Sequence, residues 1–391
     1  MNILFIAHEN AISGSTIALI NIISILKDRH NLAVVCPIDT KGDSPLIKYL
    51  RDNNIACYDK YFFEIFIYSE EKNVLRRIIR NIGRVYRHYR LKKYLRQIFL
   101  NFKPDIVHTN NGPLLAGFDV SKEFGIPHVW HLREYQDWGY NMHVMYSKRA
   151  WLKKVHSPGN FNIAISKGIF NYFNLRPDFD TVIYDGVFHE YFKPQINEIK
   201  EDYITYIGNL CKEEKGFLDA LVAFSEISKK HDSICLQAIG FYDIDDSYYK
   251  KCHKFICENR LERKVKILGI RSDIYEILRK SRALIITSHY EGFGFTCVEA
   301  MLNNCIVIAR NEAGIKEQMD NGVELLNREV GFRFNNIQEL ISCIEQSLSM
   351  NTESMRHDAY QLVCSLYTIE KSVSSIESFY SFVLKRFKAK I

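Results

Sequence analysis

Short apolar runs alternate with amphipathic stretches along most of the chain. Ile3–Ala7 is a continuous apolar run, a turn follows around Ser13-Gly14-Ser15, and residues from Thr16 to Lys27 have helical spacing. Leu32–Cys36 and Ile106–His108 repeat the strand pattern. Runs of this kind, without polar alternation, suit parallel strands covered on both faces, the intervening helices serving as crossovers. The pattern restarts in the second half. Strands are predicted at Tyr203–Ile207, Ile234–Ile239, Val265–Leu268, Ala283–Thr287 and Ile306–Ala309, and helices at Phe217–Lys229 and Asp273–Arg279. Two doubly wound α/β domains are expected, 1–190 and 191–368, joined near Asp185–Asn197, with a last helix over 369–391.

A chain of 391 residues with 47% hydrophobic and 25% charged side chains can bury two cores, which excludes disordered, collagen-like and coiled-coil classes. No uncharged stretch approaches the ~20 apolar residues of a membrane span. The opening run is too short for a signal peptide. Ten scattered cysteines, with no CxxC pair and no zinc-like Cys/His spacing, predict free thiols in a reducing, cytoplasmic setting. Charge is uneven: residues 1–190 carry 25 basic and 18 acidic side chains, against 27 and 28 in the remainder. The first half therefore owns a positive field suited to an anionic ligand or surface.

One segment breaks the rhythm. Arg76, Arg77, Arg80, Arg84, Arg87, Arg90, Lys92, Lys93 and Arg96 are basic, and no acid occurs from Lys72 to Pro104. Leu75, Ile78, Ile79, Ile82, Val85, Tyr86 and Tyr89 recur at spacings of three and four, giving a helix with one apolar face and a cationic remainder. Two readings stand: a surface helix packed on the sheet with a solvated basic side, or peripheral attachment of Arg76, Arg77, Arg80, Arg84 and Arg87 to anionic lipid headgroups on the inner face of the membrane. Nucleic acid is not expected, because no recognised binding module accompanies the charge.

The most informative stretch runs from Ser288 to Met301, after the strand at Ala283–Thr287 and into a helix. A strand, glycine loop and helix in that order direct backbone N–H groups and the positive end of a helix dipole at one spot, favouring a phosphate. Gly292 and Gly294 allow the backbone to approach a ligand closely. Glu291 in the loop and Glu299, expected in the first helical turn, can accept hydroxyl hydrogen bonds of the kind a ribose or sugar offers. The plainer alternative is a solvated loop acid and an ordinary first-turn glutamate.

Two glutamates with seven residues between them, around Gly292-Phe293-Gly294, resemble the signature of the family 4 retaining glycosyltransferases of GT-B architecture. Further segments resemble that family in the right order. Val129-Trp130-His131-Leu132-Arg133-Glu134 is similar to its His-bearing strand end, and Ile163–Lys167 to its A-x-S-K segment. Val182–Val187 is similar to the stretch at its domain crossing, and Tyr206–Leu210 with Lys215-Gly216 to its strand, turn and helix start.

The resemblance implies two Rossmann-like domains across a cleft and transfer of a glycosyl group from a nucleoside-diphosphate sugar (uridine or guanosine) to a hydroxyl of a glycan or lipid-linked acceptor, with retention, in surface polysaccharide synthesis. No cofactor or metal is implied beyond that co-substrate. Lys215 would contact the pyrophosphate and Glu299 the ribose. Glu291, with the amides of Gly292, Phe293, Gly294 and Phe295, would hold the sugar, and the amides near Thr296 the phosphates. His131 would approach the transferred sugar, and Gly14 and Ser15 would close over the β-phosphate. The last helix would pack back on the first domain. Alternatives within reach are a nucleotide-sugar 2-epimerase of the same architecture and a non-catalytic membrane-associated scaffold.

The chain departs from the family pattern in places. Asn209 stands where an arginine usually assists the phosphate, leaving Arg271 or Arg310 to supply that charge, and Asp185 replaces the usual asparagine of the crossing. Asp243-Ile244-Asp245 is an Asp-x-Asp, read here as a loop and not a metal site. His108 lies at a strand's carboxyl end, where open α/β sheets place ligands.

Overall fold

The computed structural model describes the chain except for residues 12, 41, 43, 62–65, 69–73, 113, 136–141, 145–147, 194–198, 390 and 391. Two units are distinguished: Met1–His189 with Ile369–Ile391, and Glu190–Thr368.

The first unit begins β1 (Asn2–Ala7), α1 (Gly14–Leu26), β2 (Asn31–Pro37), α2 (Pro45–Asp52), β3 (Ala56–Tyr61), β4 (Phe66–Tyr68) and α3 (Val74–Phe102). It continues with β5 (Ile106–Asn110), α4 (Leu115–Phe124), β6 (His128–Leu132), β7 (Met142–Val144), α5 (Lys148–Val155), β8 (Asn160–Ala164), α6 (Lys167–Tyr172) and β9 (Thr181–Val182). Seven strands pair in the order β3-β2-β1-β5-β6-β8-β9, every neighbour parallel, while β4 and β7 form a small antiparallel pair. β1 explains why its sequence is unbroken and apolar. Ile3, Phe5 and Ala7 join a core with α1 and α2, while Leu4 and Ile6 face a second core with α3 and α4.

The second unit runs β10 (Tyr203–Ile207), a 3-10 turn (Glu213–Lys215), α7 (Phe217–Lys230), β11 (Cys235–Ile239), α8 (Ser247–Glu258), β12 (Val265–Gly269), α9 (Ile274–Lys280) and β13 (Ala283–Ile286). It ends with α10 (Phe295–Leu302), β14 (Ile306–Arg310), α11 (Ala313–Leu326), β15 (Phe332–Phe334), α12 (Ile337–Ser349) and α13 (Glu353–Leu366). Its six strands are all parallel, in the order β12-β11-β10-β13-β14-β15.

The last helix, α14 (Ile369–Lys388), belongs to the first unit. Ile369, Val373, Ile376, Tyr380 and Val383, spaced by three and four, enter the core shared with α1 and β1.

In α3 the two halves differ. Leu91, Leu95, Ile98 and Phe99 pack on the sheet. Ile78, Ile79, Ile82, Val85, Tyr86 and Tyr89 are instead 50–65% exposed, so the apolar face of the first half is not covered by the sheet. Arg84 is a correction to the basic surface. It is buried at 4% exposure and donates from Nη1 to Asn81 Oδ1 at 3.0 Å, so it is not on the face that Arg76 and Arg87 present. The side chains of Arg77 and Arg80 lie outside the described residues. Among the described residues no helix is long and apolar enough to cross a membrane.

Candidate functional site

In the second unit, β10 and β13 are neighbours, so their carboxyl-end loops are brought side by side although they are about eighty residues apart in sequence. The loop after β10 ends in the 3-10 turn that carries Lys215, and the loop after β13 carries Glu291. Lys215 Nζ lies 2.8 Å from Glu291 Oε1, with the two side chains 22% and 24% exposed.

The backbone at Lys215 is held firmly. Its carbonyl accepts from Tyr206 Oη at 2.9 Å and from Thr287 Oγ1 at 3.1 Å, and Thr287 also donates to the Gly216 carbonyl at 2.8 Å. Gly216 takes φ +70°, and a Cβ there would sit 2.6 Å from Thr287 O, so only glycine lets this turn lie against β13.

The Glu291 loop is anchored from α11. Gly314 N donates to Glu291 O at 2.8 Å, and buried Gln318 Nε2 donates to Phe293 O at 2.9 Å. Gly294, at φ +96°, turns the chain into α10 where a Cβ would meet Ile315 Cδ1 at 2.1 Å. α10 therefore starts bare. No side chain caps it, and among the described residues the amides of Phe295 and Thr296 have no backbone acceptor. Those two N–H groups and the helix dipole leave Gly292-Phe293-Gly294-Phe295-Thr296 as an anion-accepting turn one residue from the Lys215–Glu291 pair.

Glu299 lies in the second turn of α10, not the first as its spacing suggested, because the helix opens only at Phe295. Burial pushes its carboxyl up to about 7. It makes no hydrogen bond or ion pair to Lys215 or Glu291 among the described residues. Its neighbour is Tyr275, whose phenol is pushed up first by burial and then by the Glu299 charge.

The replacement charges looked for around Asn209 are engaged elsewhere. Asn209 Oδ1 accepts from Cys211 N at 3.0 Å, so its side chain shapes the turn. Arg310 donates to Thr287 O at 3.0 Å and to Asp219 Oδ2 at 2.6 Å, over the Phe334 ring. Arg271 is paired with Asp273. Asp243 and Asp246 accept from backbone amides, Asp246 as the cap of α8, and no group of metal-holding side chains occurs among the described residues.

The first unit collects a second set of polar residues at the carboxyl ends of β1, β5 and β6. His131 is fully buried; its Nδ1 lies 3.2 Å from His108 Nε2 and 3.3 Å from Arg133 Nη2, while its Nε2 has no hydrogen-bond partner. Arg133 and Asp185 form an ion pair buried to 3% and 2% exposure, and Arg133 Nε also donates to Asn110 Oδ1 at 2.8 Å. Burial, then the Arg133 charge, holds both His108 and His131 well below the usual imidazole range, so both are neutral.

Gly14 and Ser15 open α1, where Ser13 Oγ accepts from Thr16 N at 3.1 Å. The hydroxyls of Ser13 and Ser15 both donate to Glu9. Burial opposes ionisation of Glu9, but His8 and the two hydroxyls outweigh it and hold the carboxyl down to about 2. The start of α1 thus already carries a carboxylate.

Sequence reasoning did not foresee the Arg133–Asp185 pair, the Glu9 cluster, or the contact of Tyr380 with His108. Their partners are 52, four to six and 272 positions apart, and the signals were the strand-end position of His108 and the acid at Asp185 where the family has an asparagine.

Residues 188–361 match the family model described as glycosyl transferases group 1. The chain is 25% identical over 215 residues to the capsular polysaccharide biosynthesis glycosyltransferase CapM of Staphylococcus aureus, covering 53% of this chain and 55% of that protein. It is 26% identical over 204 residues to an N-acetyl-alpha-D-glucosaminyl L-malate synthase of Bacillus anthracis, covering 50% and 51%. The matched segments thus span about half the length of these curated relatives. Among solved structures, Anabaena HepE in complex with UDP-glucose superposes with a TM-score of 0.75 at 20% identity, covering 97% of this chain and 99% of that one. Two Rossmann-like units with these parallel sheets are the GT-B fold shared with that structure, and the segment similar to group 1 glycosyl transferases covers most of the second unit.

Proposed function

We propose that the chain is a retaining glycosyltransferase of the family 4 type. It would move a hexosyl group from a nucleoside-diphosphate sugar to a hydroxyl of a glycan or lipid-linked acceptor in surface polysaccharide synthesis. The observation that carries this reading is the Lys215–Glu291 contact at 2.8 Å beside the uncapped start of α10, inside the segment matched by the glycosyltransferase model.

In this reading the diphosphate rests on the amides of Phe295 and Thr296, and Lys215 moves its ammonium from Glu291 to the phosphate. The bond between the anomeric carbon and the phosphate oxygen breaks, and the acceptor oxygen bonds to that carbon. The acceptor proton passes to the departing phosphate on the same face. Positive charge develops on the sugar and negative charge on the leaving group, so an ammonium and fixed amides favour the transition state over the ground state. Glu291 would accept from sugar hydroxyls, and Glu299 from the ribose. The relatives named for capsular polysaccharide synthesis and for UDP-glucose binding favour a uridine donor and a surface glycan.

The exposed first half of α3 supports peripheral attachment to an anionic membrane. Six apolar side chains stand 50–65% exposed beside Arg76, Arg87 and Arg90, which suits insertion at a headgroup boundary.

The test is incubation with uridine and guanosine nucleotide sugars and a set of glycan and lipid-linked acceptors. Acceptor-dependent release of nucleoside diphosphate with an axial-to-axial product supports the proposal. Interconversion of the nucleotide sugar without release would replace it with epimerisation, and nucleotide-independent vesicle binding alone with a scaffold.

A further inference from the structure

We propose that Tyr380 and His108 are positioning residues that keep His131 in the tautomer with its proton on Nε2. Tyr380 comes from α14, at the end of the chain, and its hydroxyl lies 2.6 Å from His108 Nδ1. His108 Nε2 in turn lies 3.2 Å from His131 Nδ1. All three side chains are fully buried.

The direction of this chain is decided at Arg133. Its Nη2 stands 3.3 Å from His131 Nδ1, and a guanidinium has donors only. Nδ1 of His131 therefore accepts, which leaves the ring proton on Nε2. His108 Nε2 faces the same Nδ1 and must donate to it. His108 Nδ1 is then the acceptor for the Tyr380 hydroxyl. Arg133 cannot swing away, because Asp185 and Asn110 hold its other nitrogens. Both rings are neutral, so the variable is which nitrogen carries the proton and not whether the ring is charged.

The consequence falls on His131 Nε2, buried without a hydrogen-bond partner among the described residues. A buried donor left unpaired is costly, and such groups in native proteins are commonly reserved for a ligand or an ordered water. The oxygens it suits are sugar hydroxyls and ring oxygens, which accept from a neutral N–H. The inference rests on the proposed glycosyl transfer, with His131 meeting the transferred sugar as the family resemblance implies, and it adds two residues that hold His131 in the tautomer Arg133 selects.

The test uses the full chain labelled with 15N-histidine and long-range proton–nitrogen correlation, with His131→Gln and His108→Gln spectra to assign the rings. A protonated Nε2 and bare Nδ1 at His131 are expected in the wild type, and mixed tautomers at His108 in Tyr380→Phe. In transfer assays Tyr380→Phe should lower kcat about 3- to 10-fold, the worth of one buried hydrogen bond, with donor KM nearly unchanged. A proton on His131 Nδ1 in the wild type overturns the proposal, as does a Tyr380→Phe protein matching wild type in both tautomers and kcat. Should Tyr380→Phe not fold, the wild-type spectrum decides alone. The expected tautomers with no turnover on any nucleotide sugar would sink the transferase reading and leave the proton assignment intact.

Discussion

Lys215 and Glu291 are held 2.8 Å apart by two loops whose backbones are each pinned from elsewhere, Lys215 by Tyr206 and Thr287, and Glu291 by Gly314. The ammonium is therefore neutralised and positioned before any anion arrives. Because both side chains are about a quarter exposed, the pair adds under about 1 kcal/mol to stability. Its value lies in charge placement.

Lys215→Ala should lower turnover by about 10²- to 10³-fold, the usual loss when a transition-state charge partner is removed. Glu291→Ala should cost a comparable factor through lost sugar positioning. Thermal unfolding of both variants should stay close to wild type. Near wild-type diphosphate release by both would sink the site assignment.

Glu299 gives a pH signature. Its carboxyl titrates at about 7 in the folded chain against 4.5 for the ordinary group, with burial as the cause. Between those values the native state keeps a proton that the unfolded chain has lost. This group's contribution is therefore fully present below pH 4.5 and disappears as pH rises through 7. Allowing for partial exposure, the loss is about 2 kcal/mol. Urea unfolding of Glu299→Gln at pH 5 and pH 8 should show that share of the decline removed. An unchanged pH dependence would contradict a shielded carboxyl.

Arg133 and Asp185 should behave as a buried pair in which either partner alone is a liability. Asp185→Ala should destabilise the chain by about 3–5 kcal/mol, because it strands a guanidinium at 3% exposure. Arg133→Met combined with Asp185→Leu should recover much of that loss. Denaturant midpoints of the single and double variants measure it, and a mild Asp185→Ala would mean the charge is compensated elsewhere.

On α3, replacing Arg76, Arg87 and Arg90 with glutamine should weaken partition onto anionic vesicles by about 1 kcal/mol per charge, with the difference fading at high salt. Arg84→Gln, at a buried position, should lower stability and leave partition unchanged. Equal partition of the triple variant and wild type would make the helix ordinary surface.

Local pattern determined much of this protein. The parallel strands were legible because both faces of each are covered, so β1, β2 and β13 read as near-continuous apolar runs and β10 as one interrupted only by Thr205. The glycine loop and its two glutamates were legible because they lie in one contiguous stretch, a loop and the helix it opens. Helix boundaries were less so: α10 begins at Phe295 through the positive φ of Gly294, which moved Glu299 one turn further along.

Only tertiary structure decided the rest. Which strands are neighbours is a long-range outcome, and it alone brings Lys215 to Glu291. It also spends Arg310 on Asp219, buries Arg84, and gives Arg133 its partner in Asp185. Side chains distant in sequence meet where burial forces each charge and hydrogen-bonding group to find a partner, and a pattern of nearest neighbours carries no record of that pairing.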